Sequence, residues 1–221
     1  MVRRGRNQGK RAIILDLKSD EGRKVLADLV RDVDVVIHNF LDRSLEGIGI
    51  SEPQLRAIRP DLVICQISAW GGPEGGAWKD FPAFDPVLQA ATGITARYGS
   101  PEAPVMHGVA SCVDYISGFS AALGVTQALI AKLQGAGGAY VQTSLAMGAQ
   151  LVQFPFVIDA ARDGAEVGGQ QRKGSGAHHS LFESAEGWVF LACRPESLPQ
   201  LRMRSLPPMS PQARSLSRSD G

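Results

Sequence analysis

The residues best suited to chemistry lie in the stretch 108–133, GVASCVDYISGFSAALGVTQALIAKL. Asp114 stands where an extended run, 104–109, gives way to a long apolar helix. A carboxylate at the head of a helix is favoured in its ionised form, because the first N–H groups and the helix dipole attract negative charge. Taken alone, the stretch favours a helix cap, since Asp commonly fills that role.

One side of this predicted helix carries only small side chains. They are Ser117, Gly118, Ala121, Ala122 and Gly124. Small residues allow a second backbone or a ligand to approach a helix closely. An ionised carboxylate beside such a surface is a candidate reactive group, and the rest of the chain decides whether that interpretation holds.

Composition indicates a globular protein without a strong overall field. The 221 residues are 44% apolar and 20% charged, and the formal net charge is +1. This charge does not predict binding to nucleic acid or to a membrane surface. The basic start is not followed by an apolar core, so no signal peptide is expected. The apolar stretch 121–131 is interrupted by Gly124, Thr126 and Gln127 and is expected to be too short and too polar to span a bilayer.

The three cysteines, Cys65, Cys112 and Cys193, are far apart and form no C-x-x-C pair. They predict free thiols in a reducing compartment, so we expect the protein to be cytoplasmic. No Cys/His spacing fits a zinc site, and no metal is expected.

Apolar strand-like runs alternate with helical stripes in the first third of the chain. They are the strand 12–17, a helix capped by Ser19 or Asp20, the strand 33–40, a short helix with Pro53 near its start, and the strand 61–68. Continuous apolar runs joined by short helices are typical of a buried parallel sheet. The sequence therefore predicts an α/β fold: a parallel, Rossmann-like sheet with helices on both faces.

Ligands of such sheets gather outside the carboxyl ends of the strands. This puts residues 38–40 and 68–70 at the expected ligand edge. The Gly- and Pro-rich segment after Trp70 is predicted as loop. Further elements are a helix over 84–92, a strand over 139–145 and a helix over about 145–161.

The last part of the chain predicts a different organisation. A Gly-rich link leads into HSLFESAEGWVFLAC, which is typical of a β-hairpin turning at Glu186–Gly187. We therefore divide the chain into a partial large α/β domain over 1–162, a linker and the start of a small domain over 163–201, and a tail over 202–221. The tail is rich in Arg, Ser and Pro, and its composition predicts disorder.

Several segments in order together resemble the class III CoA-transferases, the family of formyl-CoA transferase and the α-methylacyl-CoA racemases. They are NQGKRAIILDLKSDEGRKVLADLV, DVVIHNF, LRAIRPDLVICQISAWG, FDPVLQAATG, GVASCVDYISGFSAALG, GAGGAYVQTSL and GSGAHHSLFESAEGWVFL. The resemblance covers roughly residues 7–200. It implies that the large domain binds CoA, which serves as a substrate moiety, and that no cofactor is bound permanently.

The resemblance also implies roles for individual residues. Asp114 would be the catalytic carboxylate, forming first a mixed anhydride and then an aspartyl-CoA thioester. Of the CoA-contacting positions, Lys18 would meet phosphate, Asn39 would touch CoA, and Phe40 or Trp70 would meet the adenine ring or the pantetheine arm. Alternatively, Lys18 is a solvated residue before a helix, and the two aromatic residues belong to the core. The loop with Gly174 and Gly176 would cover the reacting centre.

Two departures from the family pattern bear on function. Phe84 stands where racemases carry a histidine base, so a transferase is favoured over a racemase. The chain also lacks the family's N-terminal βαβ unit and its C-terminal return, so we interpret it as a fragment. A non-catalytic CoA-binding remnant is therefore an alternative to an active transferase. Family members are interlocked homodimers, so the resemblance implies a homodimer, and the expected partners are an acyl-CoA and a carboxylic acid.

Overall fold

The computed structural model describes residues 9–108, 111–154, 156, 169–170 and 173–197. The strands are β1 Val35–His38, β2 Val63–Ser68, β3 Tyr140–Ser144, β4 Gly174–Gly176, β5 His179–Ser184 and β6 Gly187–Ala192. The α-helices are α1 Asp20–Asp32, α2 Asp42–Leu45, α3 Glu52–Ile58, α4 Asp85–Ala91, α5 Ile94–Tyr98, α6 Cys112–Leu133 and α7 Leu145–Val152. Within the described ranges, 3-10 helices span Gly72–Trp78 and Pro195–Ser197.

The first three strands form a parallel sheet in the order β1-β2-β3, which confirms the predicted α/β class. Capping residues mark the starts of two of the helices that pack on this sheet. The Ser19 hydroxyl accepts a hydrogen bond from the Gly22 N–H at 3.0 Å and caps α1. Ser51 and Gln54 form a capping box at the start of α3. Pro53 is tolerated in the first turn of this helix, because the backbone N–H groups there have no partner within the helix.

The parallel sheet is covered on both faces, as the sequence predicts. On one face, Val36, Ile64 and Tyr140 pack with the core residues Val30 of α1 and Leu55 of α3. The opposite face carries α6, whose core side chains pack with Cys65, Ile67 and Val141. Successive residues of a strand point to opposite faces, so each strand contributes to both layers.

Helix α6 is the long apolar helix that the sequence predicts within 108–133, and several of its small residues face the core. Ser117, Ala121 and Ala128 are buried on the packed side, and α6 contacts β2, β3 and α7. Its 22 residues, which include the run 121–131, are long and apolar enough to cross a membrane by length and composition alone, a test that the core helix of a folded domain also passes. The packing against the sheet is that of a core helix in an α/β domain.

The strand predicted over 12–17 is wrong. Residues 11–16 have no strand assignment, and Ile14 is 98% exposed. An apolar run becomes a buried strand only when a neighbouring strand pairs its backbone. Among the described residues, β1 pairs only with β2, and nothing pairs with the run 12–17.

The second sheet is antiparallel in the order β4-β5-β6, and its β5–β6 hairpin confirms the prediction. Glu183 pairs with Trp188 and Ser184 with Gly187, so the turn lies at 185–186, one residue before the predicted turn at Glu186–Gly187. The segment after Trp70, predicted as loop, contains the 3-10 helix Gly72–Trp78. The end of the helix predicted to reach 161, most of the Gly-rich link and the tail over 202–221 lie outside the described residues.

Candidate functional site

A cavity of about 500 Å³ opens at the carboxyl ends of β1 and β2. Its walls come from the segments after these strands, the start of α6 and the segment before α4. The lining residues are Ile37, His38, Asn39, Phe40, Leu41, Asp42, Gln66, Ile67, Ser68, Ala69, Gly72, Lys79, Pro82, Ala83, Phe84, Asp114, Gly118 and Leu145. This is the sheet edge at which parallel α/β proteins bind ligands, as the sequence predicts.

Asp114 lines this cavity and lies in the first turn of α6. The helix begins at Cys112 with Ser111 as N-cap, so Asp114 occupies the third helical position and does not cap the helix. Its side chain is exposed, and the residue lines the cavity together with Gly118, one turn further on. A first-turn carboxylate is favoured in its charged form by the helix dipole, and Gly118 leaves space beside it.

The capping role falls to a second aspartate that the sequence analysis did not single out. Asp85 is 4% exposed, and its Oδ2 accepts hydrogen bonds from the N–H groups of Val113 at 2.8 Å and Asp114 at 3.1 Å. Its Oδ1 accepts from Gln89 Nε2 at 2.5 Å. A buried carboxylate needs such partners. Asp85 therefore fixes the backbone under Asp114 and joins the starts of α4 and α6.

Cys112, two residues before Asp114, is the other potential nucleophile at this helix end. Burial raises the pKa of its thiol, and the carboxylates of Asp85 and Asp114 raise it further. Since the thiolate is the nucleophilic form of cysteine, these surroundings disfavour attack by sulfur. Of the two side chains, that of Asp114 is exposed and lines the cavity, whereas that of Cys112 is half-buried and does not line it.

A polar network lines the cavity on the sheet face opposite α6. Gln66 Nε2 donates to Asp42 Oδ1 at 2.6 Å, and Gln66 Oε1 accepts from the Tyr140 hydroxyl at 2.9 Å and from Gln142 Nε2 at 3.1 Å. Burial raises the pKa of Tyr140, so the phenol remains a hydrogen-bond donor. The sequence signal was Gln66 inside the apolar strand VICQIS, because a buried amide requires partners.

His38 ends β1 and lies beside this network. It is 7% exposed, it lines the cavity, and neither ring nitrogen has a hydrogen-bond partner among the described residues. Burial lowers the pKa of the imidazole, and the nearby carboxylate of Asp42 opposes this effect. The sequence places His38 at the expected ligand edge of the parallel sheet and indicates no role for its side chain.

The CoA-contact residues implied by the resemblance divide into two groups. Asn39 and Phe40 are exposed and line the cavity. Lys18 does not line it; Lys18 lies in the turn before α1, where its N–H donates to Asp16 Oδ1 at 3.0 Å. Trp70 is also absent from the cavity wall.

Trp70 has a packing role that explains its position. Its indole N–H donates to the Phe81 carbonyl at 3.1 Å, and its ring lies 5.0 Å from that of Trp78. It also packs against the core cluster of Leu88 and Val113. The alternative interpretation of Trp70 as a structural aromatic is therefore favoured, since its recorded contacts are with its own loop and the core and it does not line the cavity.

Gly174 and Gly176 lie in strand β4, so the prediction that they form a loop is wrong. Gly174 pairs with Ser180 and Gly176 with His179. A Cβ atom at Gly174 would lie 2.1 Å from the His179 carbonyl oxygen. The glycine is needed there for the close approach of two strands.

Phe84 lines the cavity and is 73% exposed. A phenyl ring cannot exchange a proton, so the position before Asp85 supplies no base. Among the described residues, no group of three His, Cys, Asp or Glu side chains is arranged to hold a metal ion.

The family model described as CoA-transferase family III matches residues 2–206, and the chain belongs to this family. Solved structures share the fold. The structure of a CAIB/BAIF family protein from Brucella suis is 24% identical with a TM-score of 0.73, over 88% of this chain and 52% of that one.

Similar curated proteins are CoA-transferases of different specificity. CoA-transferase/lyase DddD of Marinomonas sp. (strain MWYL1) is 35% identical over 83% of this chain and 22% of the relative. Succinate--glutarate CoA-transferase of Agrobacterium fabrum is 32% identical over 63% of this chain and 34% of the relative. The beta subunit of succinyl-CoA--L-malate CoA-transferase of Chloroflexus aurantiacus is 28% identical over 87% and 48%. The chain thus spans half or less of the length of these relatives.

Proposed function

We propose that the protein transfers CoA between an acyl-CoA thioester and a carboxylic acid, with Asp114 as the nucleophile. The observation that carries the proposal is the exposed Asp114 carboxylate on a cavity at the carboxyl edge of the parallel sheet. CoA-transferase activity of the named relatives supports the reaction class. Coenzyme A enters as part of the substrate, and the cycle needs no permanently bound cofactor.

The proposed cycle exchanges one acyl bond at a time. An Asp114 carboxylate oxygen attacks the thioester carbonyl, and the C–S bond breaks to give a mixed anhydride and the CoA thiolate. The thiolate then attacks the aspartyl carbonyl, which releases the donor acid and leaves an aspartyl-CoA thioester. The acceptor carboxylate repeats these two steps in reverse order and leaves as the new acyl-CoA, and the Asp114 carboxylate is regenerated. No redox change or net proton transfer occurs.

The direct test is intact-mass analysis after incubation with a panel of acyl-CoAs. We expect a product heavier by CoA less one water, and hydroxylamine should convert it to a hydroxamate at Asp114. Asp114→Asn should abolish the adduct, because an amide is a far weaker nucleophile. Asp80→Asn, a change at an exposed residue of the segment before α4, is the matched control and should retain it.

An adduct that persists in Asp114→Asn would contradict the assignment of the nucleophile. Coenzyme A binding without an adduct from any donor would favour the non-catalytic alternative. The racemase alternative is not favoured, because Phe84 stands at the position of the base. Deuterium incorporation at the acyl α-carbon without CoA exchange would restore it.

We further propose a cytoplasmic location, which the free thiols of Cys65, Cys112 and Cys193 support. We also propose that residues 1–162 belong to the CoA-binding domain and that 163–201 begin a second, smaller one. The separate parallel and antiparallel sheets support this division. The homodimer implied by the resemblance stays a proposal for the whole protein.

A further inference from the structure

The cavity contains a buried imidazole that the proposed cycle does not use. His38 is 7% exposed, and both ring nitrogens lack a hydrogen-bond partner among the described residues. Buried polar atoms are almost always hydrogen-bonded to protein, water or ligand. Leaving both ring nitrogens without partners is costly, so the position suits a group that receives its partner from a ligand.

The position of His38 relative to Asp114 follows from the sheet register. His38 pairs with Gln66, and Gln66 pairs with Gln142, so these side chains share the face opposite α6. Ile67, the next residue in β2, packs on the α6 side, where Asp114 lies. The cavity includes all of these except Gln142. A ligand that fills it therefore crosses the carboxyl edge of the sheet, with Asp114 on one side and His38 on the other.

The charges around His38 select the chemistry of that ligand. The Asp42 carboxylate is close enough to act on the imidazole and is held by Gln66 Nε2 at 2.6 Å. An anionic group placed at His38 would be repelled by this carboxylate. A neutral imidazole offers one N–H donor and one acceptor nitrogen, a pattern that matches the C=O and N–H of an amide.

We propose that His38 binds an uncharged amide of the pantetheine arm of the thioester and so sets how far the thioester reaches toward Asp114. The inference rests on the proposed function, because a thioester of CoA is the ligand that carries such an arm. His38 acts as a positioning residue, since it lies across the sheet edge from the reacting carboxylate. The adenosine phosphates of the ligand do not depend on it.

Calorimetric titrations with three ligands test the proposal. Coenzyme A and pantetheine carry the arm, whereas adenosine 3′,5′-bisphosphate does not. We expect His38→Leu to weaken binding of the first two about tenfold, the effect of one hydrogen bond, and to leave the third unchanged. His38→Gln, which restores a donor and an acceptor, should recover most of the loss. His179→Gln, a change on the exposed face of the hairpin, is the control and should have no effect.

A direct probe covers the case in which the leucine variant does not fold. In the unaltered chain, pantetheine should lower the pKa of the His38 imidazole followed by NMR, because the amide binds its neutral form; His179 should not respond. An unmoved His38 resonance, or equal losses with all three ligands, would overturn the proposal. A His38→Leu variant that loses affinity for succinate, a carboxylate ligand, and retains its affinity for pantetheine would also overturn the proposal.

The outcome is separable from that of the proposed function. His38-dependent binding of pantetheine without any Asp114 adduct would overturn the transfer cycle alone. An Asp114 adduct formed equally well in His38→Leu, with unchanged affinity for coenzyme A, would overturn the present inference alone. Failure of the unaltered chain to bind coenzyme A would overturn both.

Discussion

Two aspartates at the start of α6 have opposite surroundings and therefore different roles. Asp85 is buried and accepts the N–H groups of Val113 and Asp114, so its charge is used within the protein. Asp114 is exposed on the cavity, where its carboxylate is accessible to a ligand. Burial with several donors makes a structural carboxylate, and exposure at a helix start makes a chemically available one.

Removal of the buried carboxylate should destabilise the protein. Asp85→Ala leaves the Val113 and Asp114 N–H groups and the Gln89 amide without their acceptor, and we expect a loss of about 3 kcal/mol in the free energy of unfolding. Urea denaturation measures this change. Asp80→Ala, at an exposed site, should shift stability by less than about 0.5 kcal/mol. Equal effects of the two variants would contradict the structural role of Asp85.

The imidazole of His38 should make stability depend on pH. Its pKa is lowered in the folded chain by burial, so the unfolded chain binds a proton more readily. The stabilisation is present above the unfolded value near 6.5 and is lost as pH falls from there through the folded pKa. Denaturation midpoints at pH 7.5 and pH 5 (conditions chosen on either side of about 6.5) should differ less in His38→Gln than in the unaltered chain. An identical difference in both proteins would contradict this assignment.

Helix α6 has two sides with different requirements for small residues. On the packed side, Gly148 of α7 lies against it: a Cβ atom there would be 2.3 Å from Ser117 Oγ and 3.1 Å from the Val113 carbonyl oxygen. On the cavity side, a Cβ atom at Gly118 would have no neighbour within 4 Å. The first glycine allows two helices to touch, and the second leaves room for a ligand.

This difference predicts opposite effects of one substitution. Gly148→Ala should destabilise the chain by about 2 kcal/mol, because the added methyl group forces backbone or side chains apart at the α6–α7 contact. Gly118→Ala should raise stability by about 0.5–1 kcal/mol, because alanine favours the helix and meets no obstacle. Thermal or urea unfolding measures both. A stabilising Gly148→Ala would contradict the close contact.

At the scale of the whole molecule, the described chain exposes an apolar surface that a lone domain rarely shows. The outer side of α6 exposes its larger apolar side chains: Tyr115, Phe119, Leu123, Ile130 and Leu133. The chain also spans half or less of the length of the relatives compared above. Large exposed apolar patches mark surfaces that bind another protein or associate in solution.

We therefore expect the chain, produced as this sequence, to associate in solution through the outer side of α6. Phe119→Glu should shift it toward the monomer, because the added charge is costly to bury. Gln127→Glu adds the same charge to an exposed polar position of the same helix and should leave association unchanged. Light scattering after size-exclusion chromatography measures the mass. A monomeric unaltered chain, or the same response to both variants, would contradict the expectation.

Much of the fold was predictable from local signals. Ser19, the apolar stripe of α1 and the runs around Val36 and Ile64 predict the helix and both strands, because capping and periodic burial act over a few residues. The strand expected over 12–17 was wrong, because a strand depends on a partner far away in sequence. The same limit applies to Gly174, which looks like a loop residue locally and lies in a strand because β5 is close.

By itself, the sequence indicated the α/β class and the family resemblance, since these depend on residue types and short spacings, and the resemblance in turn implied Asp114 as the nucleophile. The tertiary structure alone decided that Asp85 holds the helix start, that Trp70 supports its own loop and that the ring nitrogens of His38 find no hydrogen-bond partner within the described part of the chain. Each of these depends on which groups from distant segments meet and on which meet none. Such encounters arise only when the strands pair and the helices pack over them.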